Sequence, residues 1–185
     1  MDRLVYDINV LNNFCRKFCK IIDKYTEYII VSGFVAIASG RVRGTEDIDM
    51  IIKPLDKEHF IRLHNALAKN GFVAVQSDDP IELYSYLKEK TSIRYTLKDK
   101  PVPEMEVKFA KDELDYYQIK TKIKIPLTNV DVWFGSINMN IAFKEEFLKS
   151  PKDIEDSKHL RIVYSEFVDE SEIRKIKEMI RRYRL

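Results

Sequence analysis

Between residues 10 and 24 an apolar stripe falls at Leu11, Phe14, Cys15, Phe18, Cys19 and Ile22. That is the three-and-four spacing that keeps one side of an α-helix apolar, and it predicts a helix over Val10 to Lys24. The short apolar run Tyr28 to Val31 predicts a strand, Phe34 to Ser39 a short helix, and Ile48 to Ile52 a second strand. The next helix, Asp56 to Asn70, carries its stripe on Phe60, Leu63, His64 and Leu67, with Gly71 as its stop. Phe72 to Val75 predicts a strand, and the polar turn from Ser77 to Pro80 starts a helix over Ile81 to Lys88 with Asp78 and Asp79 as caps. Over Pro103 to Ala110, Met105, Val107 and Phe109 alternate with Glu104, Glu106 and Lys108, the period of two of a strand with one apolar face. Thr121 to Ile125 is a lysine-rich strand candidate, with a turn at Pro126 to Asn129. Ser150 or Asp153 can cap a helix beginning near Pro151 or Ile154. The last helix, Ser171 to Arg184, places Ile173, Ile176, Ile180 and Tyr183 on one side, and Asp169 and Glu172 have capping-box spacing.

Composition narrows this picture. With 185 residues the chain holds one domain, or one domain with a helical extension, and no second catalytic domain fits. Lys and Arg number 32 against 30 Asp and Glu, a net charge of +2, so any attraction to nucleic acid must be local. The local exception is the last helix, where Arg174, Lys175, Lys177, Arg181, Arg182 and Arg184 form a basic face that reads either as a solvated surface or as a contact for an RNA backbone. No apolar run approaches bilayer length and the first ten residues lack the pattern of a secretory signal, so a cytoplasmic protein with no membrane contact is expected. Cys15 and Cys19 share the apolar stripe of the first helix and read as packed thiols, and His64 on its own stripe reads as a packed histidine.

The candidate chemistry sits at Asp47 and Asp49. Residues two apart on a strand point to the same face, so the two carboxylates lie side by side. Like charges held that close raise one another's pKa, and Mg²⁺, which takes hard oxygen ligands, removes the conflict. Upstream, the strand ending at Val31 meets Ser32-Gly33 and a short helix, whose free N–H groups can face an anion. Taken alone, an Asp-x-Asp pair also reads as a solvated turn or a helix cap.

Ser32-Gly33, a helix, Gly40, Arg43, Thr45 and Asp47-Ile48-Asp49 form an order that resembles the signature of the nucleotidyltransferase superfold. It especially resembles the minimal, toxin-related branch that includes the AbiE-type abortive-infection nucleotidyltransferases. Ser32 stands where a first glycine is usual. The resemblance spans roughly residues 28–160. It implies an α/β (α+β) fold, a small mixed sheet flanked by helices, with a core over residues 1–135 and a helical C-terminal part over 136–185 packed on it. A third acidic ligand is expected on a strand near the Asp-x-Asp strand. Glu106 matches that position best, with Glu104 second; otherwise both are the wet face of an edge strand. On the C-terminal helices the branch carries a Lys followed by Lys/Arg-x-Lys-Asp-x-x-Asp, matched by Lys144, Lys152, Asp153 and Asp156, with Ser150-Pro151 replacing the usual basic residue and its neighbour.

The resemblance implies transfer of a nucleoside monophosphate from an NTP such as ATP onto a hydroxyl, with two Mg²⁺ (or Mn²⁺) ions held by Asp47, Asp49 and Glu106. Ser32, Gly33, Arg43 and Thr45 would form the nucleotide side; Arg43 and Lys53 flank the acidic strand, and each reads as a phosphate contact or a solvated surface charge. Lys144 and Lys152 would contact phosphates, with Lys144 solvent-facing in the cleft, while Asp153 and Asp156 would orient the cations or assist catalysis. RNA such as tRNA, a protein side chain or a small molecule could be the acceptor, and an antitoxin-like protein the partner. The reading of another class is a nucleotide-binding or partner-binding module of the same fold without catalysis, favoured by Ser32.

Overall fold

Helix α1 (Ile8–Ile22) starts where the Asp7 carboxylate accepts the Asn9 N–H at 2.8 Å, and its predicted stripe is buried from Leu11 to Ile22. The computed structural model describes residues 7–185. Residues 1–6, part of the stretch read above as lacking a secretory signal, lie outside the described residues. Strand β1 (Tyr28–Val31), helix α2 (Gly33–Ala38) and strand β2 (Asp47–Ile52) follow within two residues of their expected limits. Helix α3 (Lys57–Lys69) is capped by Asp56, and α4 (Pro80–Lys88) by Asp79 alone, with strand β3 (Phe72–Ala74) between them. A hairpin comes next, β4 (Ile93–Leu97) and β5 (Lys100–Phe109), then helix α5 (Glu113–Lys120). The C-terminal part is α6 (Ile137–Phe143), a π-helical turn (Lys144–Leu148), α7 (Pro151–Val163), a 3₁₀ turn (Ser165–Phe167) and α8 (Glu170–Arg184). Among the described residues no helix is long and apolar enough to cross a membrane.

The five strands form one mixed sheet in the order β1-β2-β5-β4-β3, in which β2 and β5 are parallel and the other pairs antiparallel. The period of two then divides the sheet. Ile48, Met50, Ile52, Met105 and Val107 join the main core with side chains of α1, α3 and α4. Asp47, Asp49 and Ile51 share the opposite face with Glu104, Glu106 and Lys108. That face is only partly covered: α5 lays Ile119 on Ile29 and Ile51, and the carboxylates beyond are left open.

The lysine-rich segment Thr121–Ile125 is not a strand. Ile123 exchanges a single pair of 2.9 Å hydrogen bonds with Phe134, and residues 133–135 pair instead with Ile30 at the edge of β1, so no ladder propagates. Ser150 caps α7, its hydroxyl accepting the Asp153 N–H at 3.2 Å, with Pro151 in the first turn. At α8 the Asp169 carboxylate accepts from Ser171 and Glu172 N–H groups, but Glu172 turns away to accept from Asn138 at 2.6 Å, so the box is not reciprocal.

Much of the basic face of α8 is used inside the molecule. Lys177 pairs with Glu145 at 2.7 Å, Arg181 with Glu146 at 2.8 Å, and Arg184 with Asp112 and Asp115. Burial alone would raise the Glu145 carboxyl, but hydrogen bonds from Arg161, Lys177 and Ser157 outweigh it and hold the group at about 2. The expected basic surface is thereby reduced, because these side chains staple α8 to the π-helical turn and to α5.

Candidate active site

Parallel pairing of β2 with β5 sets Asp49 opposite Glu106 and Asp47 opposite Glu104. One oxygen each from Asp47, Asp49 and Glu106 lie within 4.8 Å of one another, and Glu104 is not part of that group. The Asp49 carboxyl is raised from 3.8 to about 6, first by burial and then by the charge of Asp47, with Lys108 opposing the rise, Glu106 adding to it and a hydrogen bond from the Ser32 hydroxyl lowering it. The buried Thr45 hydroxyl donates to Asp47, shared between its carbonyl oxygen at 3.0 Å and Oδ1 at 3.2 Å. Three converging oxygen donors whose mutual repulsion Lys108 only partly offsets at Asp49 fit a hard divalent cation.

Arg94, on β4 opposite Glu106, is a neighbour that the sequence pattern did not reveal. Its Nη2 lies 3.4 Å from Glu106 Oε2 and its Nε 3.8 Å from Glu104 Oε2. The guanidinium thus leans on both glutamates from the solvent side. A strand hidden by an unremarkable hairpin turn brought it there; nothing in its own sequence context marks it.

Ser32 adopts φ 68° and ψ −139°, a left-handed conformation natural to glycine and strained for serine. At Gly33 a Cβ would lie 2.6 Å from Arg43 Nη2, because the guanidinium rests on this residue, so a side chain here would push the guanidinium aside. Arg43 Nη1 also donates to Asp156 Oδ2 at 2.7 Å. Lys53, by contrast, pairs with Glu27 at 3.4 Å at the end of β2 away from Asp47.

The C-terminal residues divide. Lys144 lines the cleft, but the expectation of a solvent-facing lysine is corrected: it is 1% exposed, and Nζ lies 2.9 Å from Asp156 Oδ2 and 3.7 Å from Asp153 Oδ1. Asp156 is fully buried, and Asp153 both closes the cap with Ser150 and approaches Lys144. Lys152 is exposed in the first turn of α7 and is not among the residues lining the cleft. His64 is buried against the Tyr95 hydroxyl at 3.0 Å, and burial lowers its pKa; Cys15 and Cys19 lie 3.9 Å apart in the core, where burial pushes the Cys15 thiol up.

A cleft of about 230 Å³ opens beside Asp49 and Ser32, between the sheet and the π-helical turn. Phe109, Phe143, Phe147 and Met139 give it an apolar wall, and Lys90, Lys108, Lys111 and Lys144 give it positive charge. Asp115, also in the lining, is neutralised by Arg184 at 2.6 Å.

No protein-family model matches the sequence, and no curated protein matches it. Solved structures do. The antibiotic-resistance factor ANT(2'')-Ia in solution is similar with a TM-score of 0.58 and 12% identity, over 95% of this chain and 94% of that one. The same factor in complex with adenylyl-2''-tobramycin gives 0.54 and 15%, over 94% and 98%. An antigenic nucleotidyltransferase-like protein from Paracoccidioides brasiliensis gives 0.54 and 16%, over 95% and 88%. The chain has the fold of these nucleotidyltransferases, a mixed sheet flanked by helices.

Proposed function

We propose that this protein is a Mg²⁺-dependent nucleotidyltransferase that moves a nucleoside monophosphate from an NTP to a hydroxyl of RNA, protein or a small molecule. The observation that carries the reading is the convergence of Asp47, Asp49 and Glu106 within 4.8 Å, with Asp49 also lining a lysine-rich cleft. These three residues would hold Mg²⁺ or Mn²⁺. Bound there, the metal supplies neutralisation of the triphosphate and acidifies the acceptor hydroxyl.

The chain's own residues do the rest. Lys108 and Lys144 offer point charges to phosphate oxygens, and Arg43 does so beside the Ser32-Gly33 step. The Thr45 hydroxyl fixes the Asp47 carboxylate, and the Ser32 hydroxyl lies close enough to Asp49 to favour its ionised form. Phe109, Phe143 and Phe147 form an apolar wall suited to a nucleobase. Glu106, opposite Asp49, is the group placed to receive the acceptor proton. Positioning and charge neutralisation of this kind supply most of the catalysis in phosphoryl chemistry.

The order Lys144, Asp153, Asp156 supports the AbiE-type branch, and with it a toxin-type role towards tRNA or protein and an antitoxin-like partner in the cytoplasm. Lys152 enters this reading as a surface phosphate contact. The test is nucleotide transfer from each α-labelled NTP with Mg²⁺ onto tRNA, protein and aminoglycoside acceptors. Label transfer and Mg²⁺-dependent thermal stabilisation by one NTP are expected, both lost on joint substitution of Asp47 and Asp49 by Asn. Absence of stabilisation by every NTP sinks the proposal. Stabilisation without transfer would instead favour an inactive nucleotide-binding or partner-binding module, the reading to which the Arg94–Glu106 ion pair lends weight.

A further inference from the structure

Asp156 is wholly enclosed, and three cations converge on it. Lys144 Nζ and Arg43 Nη1 donate to its Oδ2 at 2.9 Å and 2.7 Å. Arg41 Nε lies 2.5 Å from Oδ1 but off the hydrogen-bonding axis, so that contact is ionic only, and neither atom has another partner. The partners come from separate elements: Arg41 and Arg43 from the loop joining α2 to β2, Lys144 from the start of the π-helical turn, Asp156 from α7. One carboxylate cannot neutralise three cations. Arg41 is partly relieved by Glu155 at 3.7 Å and Lys144 by Asp153 at 3.7 Å. Arg43 has no second acidic partner among the described residues, and its guanidinium rests on Gly33.

We infer that Asp156 is a positioning residue that holds Arg43 against the Ser32-Gly33 step and Lys144 in the cleft wall at once, so that both face one polyphosphate. This deepens the nucleotidyl-transfer reading and rests on it. Asp156 does not itself touch metal or nucleotide, because both its oxygens are turned to cations inside the protein. Its role therefore differs from the cation-orienting one that the resemblance implies. Without its charge, the three mutually repelling cations would spread, and Arg43 and Lys144 would leave the positions in which Asp156 fixes them.

The experiment is calorimetric titration of the full chain with Mg²⁺-tripolyphosphate and Mg²⁺-ATP, at a temperature where every variant is folded by circular dichroism. Asp156→Asn should raise Kd about tenfold, in the range of coupling within one ion-pair network. Asp156→Glu should recover part of the loss. In an Arg43→Met, Lys144→Met background, Asp156→Asn should change Kd less than about twofold, since its effect passes through those side chains. If Asp156→Asn does not fold, Asp156→Glu in the two backgrounds gives the same comparison. Unchanged affinity in a folded variant, full additivity in the double background, or Asp156→Glu no better than Asn overturns the role of Asp156 alone. Wild-type protein that binds neither ligand overturns both this role and the nucleotidyl-transfer reading.

Discussion

Replacing Asp49 by Asn should make the metal-free protein more stable. Asp49 sits beside Asp47 and opposite Glu106, and burial with these charges lifts its carboxyl from 3.8 to about 6. At about 1.4 kcal/mol per pH unit, ionising it in the folded state opposes folding by about 3 kcal/mol once the pH exceeds 6. The sign follows from proton binding. In the unfolded chain the group ionises near 3.8, so between about pH 4 and 6 the folded state holds the extra proton, and wild-type stability relative to the variant falls as pH rises through that window. Above pH 6 the deficit is complete; below pH 4 it vanishes. For a chain of this size, about 3 kcal/mol corresponds to roughly 6–12 °C in Tm. Thermal and urea unfolding of both proteins in EDTA from pH 4 to 8 measures it, and Mg²⁺ should then stabilise the wild type and not the variant. A variant no more stable than wild type at pH 8, or a difference that stays flat with pH, refutes the reasoning.

Other substitutions probe the neighbouring groups. Arg94→Gln removes a half-exposed cation that leans on Glu106 and Glu104, and should tighten Mn²⁺ binding about threefold in an electron paramagnetic resonance titration; weaker binding would make Arg94 a support for the ligands instead. Lys144→Met breaks a buried ion pair while Arg41 and Arg43 stay on Asp156, and should cost about 2–3 kcal/mol by urea unfolding; a loss below about 0.5 kcal/mol, as for a surface lysine, would contradict its burial. Ser32→Gly relieves a backbone conformation with φ 68° and should stabilise the fold by about 1 kcal/mol; a lower Tm would mean that the hydroxyl's interactions outweigh the strain.

The fold was legible where one face of an element is apolar. The stripes of α1, α3 and α8 and the alternation in β5 are read from spacing alone because each buries a single face. Strand β4 was missed, although Ile93, Tyr95 and Leu97 alternate with Arg94 and Thr96, because its hairpin turns at Lys98 and Asp99 without the usual glycine; Asp99 takes φ 62° in its place. Helix α5 was missed because it buries Asp115 and Gln118 along with Leu114 and Ile119, polar groups held by Arg184 and by each other. In the opposite direction, the β-favouring composition of Thr121–Ile125 promised a strand, but residues 133–135 occupy the available edge.

The carboxylates illustrate what short-range spacing can and cannot carry. Asp47 and Asp49 share a face by strand geometry, which is local and needs no tertiary information. That Glu106 rather than Glu104 joins them depends on the register of β2 against β5, which pairs Asp49 with Glu106 and Asp47 with Glu104. Register is decided by which residues the main core accepts: Ile48 and Met50 must pair with Met105 and Val107 for both strands to bury their apolar sides together. Sliding β5 by two residues would keep the faces but bring Lys108 or Glu104 opposite Asp49, so alternation alone cannot choose the third ligand. The Lys144–Asp156–Arg43 cluster lies further still from local rules, since its members are 113 residues apart at the extremes. Each reads on its own as a surface charge or a cap, and the packing of α7 against both α2 and the π-helical turn gathers them into one group beside Gly33.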